Sequence, residues 1–210
     1  MNKNMETIKK NLLGRKQGVI GEKTSSKFSV VIPLIQKDGE LHILFEVRSP
    51  YLNSQPGEIC FPGGRVDPED PSEQYAAVRE LCEEVGLEEK DVEIIAPLDR
   101  FVPPFNRIIY PYVGLIGESA NLSANEAEVA ELFTVPLHFF QKNEPEKHEV
   151  FLQVKPGDSF PYHLIPGGEN YSWRVGSIPE YFYIYESYVI WGLTARILMH
   201  FLEEASLLVD

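Results

Sequence analysis

Residues 63–87 read GGRVDPEDPSEQYAAVRELCEEVGL, and the spacing of their acidic and apolar side chains is typical of a single helix. Asp70 is expected to cap this helix, with Pro71 at the first helical position and Glu73 completing a capping box. Gly86 marks the end, because glycine adopts the left-handed conformation after a last turn without steric cost. The stretch therefore predicts a helix between residues 70 and 86.

The predicted helix gathers acidic side chains on one face. At about 100° of rotation per residue, one side carries apolar residues and the opposite side carries glutamates. The apolar set is Tyr75, Val78, Leu81, Cys82 and Val85, and the acidic set is Glu73, Glu80, Glu83 and Glu84. Because like charges three or four residues apart repel, a hard divalent cation with oxygen ligands is the natural candidate to neutralise this face. A solvated acidic face is the alternative.

Two sequence features favour the cation over the solvated face. Pro62-Gly63-Gly64 lies just upstream, and its bare backbone can approach a ligand and offer a carbonyl oxygen. The second feature is a motif: residues 79–87, RELCEEVGL, fit the RExxEExGh core of the Nudix box, in which h is apolar. Gly64 and Asp70 stand at the positions of the leading glycine and the first acidic residue of the box. The chain therefore resembles the Nudix hydrolases.

Details of the motif resemble one branch of this family, the coenzyme A pyrophosphatases. Asp70 replaces the usual glutamate of the box, and eight residues rather than seven separate it from Arg79. The extra residue resembles that branch. Residues 44–49, LFEVRS, and 57–64, GEICFPGG, resemble the signature of the branch. The branch often carries a basic residue between these two segments, where residues 53–55 of this chain are the uncharged NSQ.

The resemblance implies the Nudix fold of the α/β class, an α/β/α sandwich built on a mixed β-sheet. It also implies that Glu80 and Glu84 are ligands of Mg²⁺ or Mn²⁺, with Glu83 as a third or water-bridged ligand. The Gly64 carbonyl is expected to add a ligand, with a purely conformational role as the alternative. Arg79 is expected to orient the glutamates by bidentate hydrogen bonding, with a surface ion pair as the alternative.

Residues outside the helix complete the candidate site. Many Nudix enzymes take a further carboxylate from outside the box as a ligand or general base, and Glu128 or Glu126 could supply it. A solvated loop glutamate is the alternative for each. Arg48 and Ser49, at the end of an apolar strand, are candidates for binding the substrate. A structural salt bridge is the alternative for Arg48.

The resemblance implies hydrolysis of the diphosphate linkage of coenzyme A or an acyl-CoA, which gives 3′,5′-ADP and 4′-phosphopantetheine. A first alternative is hydrolysis of another nucleoside-diphosphate derivative, such as ADP-ribose or a dinucleotide. A second is a non-catalytic Nudix domain that senses a ligand, although the intact glutamate set argues against it. In each case the expected partner is a small nucleotide-diphosphate molecule, and a homodimer is left open.

Composition sets limits on partners and location. The chain has 210 residues, of which 43% are hydrophobic and 24% charged, as in ordinary soluble globular proteins. A net charge of −13 argues against nucleic acid or an anionic membrane as partner, since both require basic patches. Two cysteines, no apolar signal-peptide core and no peroxisomal tripeptide at residues 208–210 together predict a cytoplasmic protein without disulfides.

The remaining pattern divides the chain into two parts. Residues 1–24 are expected to form a polar helix or tail, and residues 25–210 the Nudix hydrolase domain. Helices are expected from residue 137 and over residues 126–132 and 187–202, and an irregular segment over 155–179. Apolar runs, the first two joined by a hairpin at Asp38-Gly39, predict strands at 27–35, 41–48, 91–101, 107–116, 149–154 and 181–185.

Overall fold

The computed structural model describes residues 3–208, so residues 1–2 of the predicted N-terminal part and 209–210 of the C-terminal tripeptide lie outside it. Its helices are α1 (Lys3–Leu12), α2 (Glu73–Val85), α3 (Leu137–Lys142) and α4 (Gly192–Glu204). Its strands are β1 (Ser26–Lys37), β2 (Glu40–Arg48), β3 (Ile59–Cys60), β4 (Gly63–Arg65), β5 (Val92–Pro97), β6 (Arg107–Ile116), β7 (Val129–Pro136), β8 (Glu146–Leu152), β9 (Gly176–Tyr185) and β10 (Tyr188–Trp191). Short 3₁₀ turns occupy Glu89–Asp91, Tyr162–Leu164 and Gly168–Asn170.

A tight hairpin starts the main sheet. Lys37 pairs with Glu40, and both residues between them, Asp38 and Gly39, have positive φ angles of 51° and 81°. A two-residue turn with this conformation matches the right-handed twist of the strands that it joins. The hairpin predicted from the Asp-Gly pair is therefore confirmed.

The main sheet has seven strands in mixed orientation. Its central order is β3-β2-β1-β6-β5, with β4 added to β1 and β7 added to β2. Strand β1 runs parallel to β6 from Ser26, opposite Arg107, to Ile35, opposite Ile116, and the other pairings are antiparallel. The mixed sheet is thus confirmed.

Helices cover both faces of this sheet. On one face, Leu81 of α2 belongs to a core cluster that includes Val31 and Leu44. On the other face, Leu198 of α4 belongs to a cluster that includes Ile32. Because successive strand residues point to opposite faces, neighbouring apolar residues of β1 enter different clusters. This arrangement is the predicted α/β/α sandwich.

Two helix predictions are wrong in part. Residues 126–132 do not form a helix: β7 begins at Val129, and its buried residues Val129, Phe133 and Val135 lie on β2. Short apolar runs fit either period, and the pairing with β2 decides for a strand. The helix predicted over residues 187–202 is preceded by β10, because Gly192 takes a φ of 62° and starts α4 there.

A smaller antiparallel sheet, in the order β10-β9-β8, lies beside α4. The segment predicted as irregular is so up to Val175, after which β9 begins. Within residues 1–24, expected to be a polar helix or tail, the structure has α1, none of whose residues is buried. Among the described residues, no helix has the length and apolar character needed to cross a membrane.

Candidate active site

Helix α2 carries the acidic motif and has well-formed ends. Ser72 caps it, since its hydroxyl oxygen accepts a hydrogen bond from the backbone N–H of Tyr75 at 3.1 Å. Gly86 ends it in the left-handed conformation with a φ of 73°, as predicted. The prediction of Asp70 as the N-cap, with Pro71 as the first helical residue, is wrong by two positions. Asp70 instead engages Arg79.

Arg79 joins several parts of the site. Its guanidinium donates bidentate hydrogen bonds to Asp70, with Nε to Oδ1 at 3.1 Å and Nη2 to Oδ2 at 3.0 Å. Nη1 donates to Glu80 at 3.0 Å and to Glu83 at 3.3 Å. These bonds hold the pKa of Asp70 below its usual range and raise the pKa of Arg79. Arg79 thus makes its bidentate hydrogen bonds to Asp70, whereas the prediction was that it would make them to the glutamates. It donates one hydrogen bond to each of the two glutamates.

The helix does not place all its glutamates in solvent. Its buried residues are Ala76, Ala77, Leu81, Glu84 and Val85, and Glu84 is only 3% exposed. The prediction that Glu84 lies opposite the apolar side is therefore wrong. The placement of Tyr75 on the buried apolar side is also wrong, because Tyr75 is 39% exposed. The cause is the neighbouring glycine segment, which covers the side of α2 that carries Glu80 and Glu84.

Two glycines bring bare backbone against these carboxylates. The N–H of Gly63 donates to Glu84 Oε2 at 2.8 Å. A Cβ on Gly64 would lie 2.3 Å from the carboxyl carbon of Glu80, and a Cβ on Gly63 would lie 2.3 Å from the carbonyl oxygen of Ser29. Neither position therefore accommodates a side chain without movement, which explains the glycine pair.

A further carboxylate, Glu46, lies in the site and was missed by the sequence analysis. It is fully buried on β2, and its Oε1 accepts a hydrogen bond from the Cys60 thiol at 3.1 Å. The charge of Glu46 acts on Glu84, so the two carboxyl groups lie near each other. The signal was present in the sequence as one charged residue inside the apolar run Leu44-Phe45-Glu46-Val47.

The electrostatics of this cluster favour binding of a cation. Burial raises the pKa of Glu84, and the charge of Glu46 raises it further. Burial also raises the pKa of Glu46 and of Glu80, with the charge of Glu128 adding to both shifts. A hard divalent cation binds oxygen ligands. Here several carboxylates lie together in a low-dielectric pocket, with too little positive charge to neutralise them. The donor set therefore fits the expected metal.

The residues outside the helix lie at the rim of the cluster. Glu128 is exposed in a turn, where its backbone carbonyl accepts a hydrogen bond from the N–H of Ser49 at 2.8 Å. Its charge acts on Glu46, Glu80 and Glu84, so of the two candidate loop glutamates it is the better placed. Exposed Glu126 lies two residues earlier in the same turn.

Arg48 and Ser49 connect this turn to the glycine-rich segment. The backbone N–H of Arg48 donates to the carbonyl of Glu58 at 2.9 Å, and its carbonyl accepts from Gly57 at 3.1 Å. The charge of Arg48 lowers the pKa of Glu46, which places the guanidinium near the cluster. Ser49 is 1% exposed, and its role in substrate binding stays a prediction.

A second group of possible metal ligands lies elsewhere among residues 3–208. Asp99, His200 and Glu204 bring one ligand atom each within 4.8 Å of one another, near the end of α4. His200 Nε2 lies 3.5 Å from Asp99 Oδ2. The same Nε2 accepts a hydrogen bond from the backbone N–H of Asp99 at 3.3 Å, so a local contact within the fold accounts for this group.

Comparison with known proteins identifies the family. A model of the NUDIX domain matches residues 26–155, which is more than half of the chain and includes β1 to β7 and α2. This chain belongs to the NUDIX family. The match contains each carboxylate of the cluster described above, together with Arg48, Gly64 and Arg79.

Relatives within the NUDIX family differ in the share of their length that aligns with this chain. The peroxisomal coenzyme A diphosphatase NUDT7 of Mus musculus is 42% identical over 117 residues, which are 56% of this chain and 50% of the mouse protein. Nudix hydrolase 3 of Caenorhabditis elegans is 31% identical over 180 residues, which are 83% of this chain and 71% of that protein. The chain thus spans half the length of the mouse relative.

A solved NUDIX structure supports the fold. The crystal structure of a MutT/nudix family protein from Enterococcus faecalis superimposes on 97% of this chain and 68% of its own, with a TM-score of 0.51. Its sequence is 15% identical, so the similarity is one of fold.

Proposed function

We propose that the protein is a Mg²⁺- or Mn²⁺-dependent hydrolase that cleaves the diphosphate linkage of coenzyme A or an acyl-CoA. The products would be 3′,5′-ADP and 4′-phosphopantetheine. The observation that carries the proposal is the position of Arg48 and the 57–64 segment, GEICFPGG, beside the carboxylate cluster of α2. The 42% identity to a coenzyme A diphosphatase over 117 residues supports the same substrate.

Four groups would hold the divalent cation in this proposal. They are the carboxylates of Glu80, Glu83 and Glu84 and the carbonyl of Gly64. A bound cation would neutralise charge on the diphosphate oxygens and lower the pKa of a coordinated water. The protein's own contribution is orientation, because Arg79 fixes Glu80 and Glu83 while the Gly63 amide fixes Glu84.

Two further residues would act on the substrate. Glu128, exposed at the rim, is proposed to accept a proton from the attacking water as general base or to complete the ligand set. Arg48 is proposed to bind a substrate phosphate, because a guanidinium recognises phosphate oxygens bidentately. Its Nε is buried and has no hydrogen-bond partner among residues 3–208.

A substrate panel tests the proposal. Purified protein is incubated with Mg²⁺ or Mn²⁺ and CoA, an acyl-CoA, ADP-ribose, NADH or a dinucleoside polyphosphate, and the products are resolved by mass. We expect the highest kcat/KM for CoA or acyl-CoA. Preferential cleavage of ADP-ribose or a dinucleotide would assign a different substrate, and the proposed reaction, hydrolysis of a diphosphate, would stand. Binding without turnover of any panel member would indicate a ligand-sensing domain instead.

Location and assembly stay predictions. Both cysteines, Cys60 and Cys82, are free, which agrees with the predicted absence of a disulfide. A cytoplasmic location is proposed on the sequence alone, as is the division between residues 1–24 and 25–210, and a homodimer is left open.

A further inference from the structure

Helix α1 exposes an apolar face to solvent. Each of α2, α3 and α4 buries at least one side chain in the fold, whereas among the described residues α1 buries none. Its apolar residues Met5, Ile8 and Leu12 are three and four positions apart, so they share one face. These three side chains are between 48% and 59% exposed. Leu13 and Ile20, just after the helix, are exposed as well. Such a cluster, unlike a single exposed apolar residue, is typical of a binding surface.

The segment that contains α1 is basic, although the chain as a whole is acidic. Residues 3–23 carry six basic side chains and two acidic ones, in a chain whose net charge is −13. The basic residues are Lys3, Lys9, Lys10, Arg15, Lys16 and Lys23, and the acidic ones are Glu6 and Glu22. Salt screens exposed charges from each other beyond roughly 10 Å, so the local charge decides what binds at α1. The argument from the net charge against an anionic membrane therefore does not extend to this helix.

The position of Lys9 favours a lipid surface over a groove in a protein. Lys9 follows Met5 by four residues and Ile8 by one, so it borders the apolar face. In a groove that encloses this face, the ammonium group would lose its water at a cost in free energy. At a membrane surface, its methylene groups cover apolar surface while the ammonium group stays among the headgroups. A helix with an apolar face and lysines around it is typical of binding in the plane of an anionic membrane.

We propose that α1 binds the surface of a membrane that contains anionic phospholipids. The apolar face enters the boundary between headgroups and acyl chains, and the basic side chains contact the anionic headgroups. Because the helix has only ten residues, the attachment is reversible. The inference goes beyond the proposed function and does not depend on it, since no residue of α1 belongs to the carboxylate cluster.

Flotation with lipid vesicles tests the proposal on the full chain. The protein is mixed with vesicles of phosphatidylcholine alone or with vesicles that contain about one-third phosphatidylserine, which gives them a negative surface. The fraction of protein that floats with the vesicles gives the partition coefficient. It is measured at low salt and at about 0.5 M NaCl, where exposed charges are screened. We expect strong binding only to the anionic vesicles at low salt.

Two variants separate the contribution of charge from that of apolar contact. The double variant Lys9→Glu, Lys10→Glu is expected to weaken binding to the anionic vesicles by about 10-fold or more, because each basic residue near the surface adds to the attraction. Ile8→Ser is expected to weaken it by about 10-fold, since a large apolar side chain no longer enters the lipid. Neither change touches a buried residue, so the melting temperatures should equal that of the wild type.

Matched controls make the same changes outside α1. The double variant Lys147→Glu, Lys155→Glu alters the net charge equally at two exposed positions. Leu164→Ser removes an apolar side chain that is also exposed. Both controls are expected to bind the anionic vesicles as the wild type does.

Four results would overturn the inference. Absence of flotation with the anionic vesicles would show that the chain does not bind such a membrane. Equal binding to both kinds of vesicle would exclude recognition of anionic lipid. Wild-type binding by the lysine variant and by Ile8→Ser would place the contact elsewhere on the chain. Self-association in sedimentation without flotation would assign the apolar face to a second copy. Each of these results leaves the proposed reaction standing, because its substrates are soluble molecules.

Discussion

The backbone amide of Gly63 donates a 2.8 Å hydrogen bond to the carboxyl of Glu84 and thereby joins the glycine segment to helix α2. The contact holds a carboxyl that is almost completely buried in a low-dielectric setting. It also places the carbonyl of the next residue, Gly64, beside the carboxylates that would hold a cation. The site is therefore built by a strand end and a helix face together.

Removing the charge of Glu84 tests the metal site. We expect Glu84→Gln to fold, because glutamine keeps the size of the side chain and an oxygen for the Gly63 amide. Turnover is expected to fall by more than about 100-fold, beyond the loss typical of a residue that only supports a ligand. Glu88→Gln on the exposed surface is the matched control, and steady-state rates at saturating Mg²⁺ are the measurement. Near wild-type turnover in Glu84→Gln would exclude Glu84 as a ligand.

The two glycines are expected to respond differently to alanine. Gly64→Ala would push only the flexible carboxyl end of Glu80, so the protein should fold and lose activity by about 10-fold or more. Gly63→Ala would meet the backbone of Ser29 and Val30, so it should lower the melting temperature. Gly117→Ala, with ordinary contacts, is the control. Full activity in Gly64→Ala would argue against close packing of Glu80 on this segment.

The stability of the metal-free protein should fall as the pH rises. Folding raises the pKa of Glu46 and Glu84 above the ordinary value of 4.5. A group whose folded-state pKa is raised contributes stability that is fully present below its unfolded pKa and is lost as the pH rises through the folded pKa. Melting curves in chelator at about pH 5.5 and about pH 8 measure the difference.

Matched variants isolate this effect from other titrating groups. Glu84→Gln removes one of the coupled carboxyls, so its melting temperature should depend less on pH than that of the wild type. Saturating Mn²⁺ should likewise restore stability at the higher pH, because the cation favours the ionised forms. A wild-type protein that is more stable at the higher pH in chelator would contradict the raised pKa values.

Arg48 is the residue on which the substrate proposal depends most. Arg48→Ala is expected to lower kcat/KM for CoA more than for dephospho-CoA, if its guanidinium binds the 3′-phosphate. Arg174→Ala, in an exposed segment, is the control for loss of one positive charge. Equal losses on the two substrates would assign Arg48 to the diphosphate or to structure.

Local and non-local parts of this site differed in how well they could be predicted. Glu80, Arg79 and Gly86 follow from spacing within one helix, because residues three or four apart share a face. Glu46 could not be found in this way, since its nearness to Glu84 depends on how β2 and α2 are arranged in the fold. The N-cap role predicted for Asp70 was wrong for a similar reason, because the Asp70 carboxylate binds the guanidinium of Arg79 and does not cap the helix.

The same distinction explains the fold. Strands β1, β2 and β6 have long apolar runs and clear turns, and they were predicted close to their observed bounds. For the segment that became β7, the sequence pattern fits a helix or a strand, and only the register with β2 decides. Gly192, where β10 gives way to α4, marked a break that the amphipathic pattern of residues 187–202 concealed.

The position of bond cleavage tests the reaction itself. Water that attacks one phosphorus of a diphosphate leaves one solvent oxygen on one of the two products. With CoA hydrolysed in ¹⁸O-labelled water, mass spectrometry should find the label in either 3′,5′-ADP or 4′-phosphopantetheine, and the other product should be unlabelled. CoA incubated in labelled water with Glu84→Gln is the control for background exchange. Label found only in free orthophosphate would identify a phosphomonoesterase, and the carboxylates of α2 would then not form a diphosphate-cleaving site.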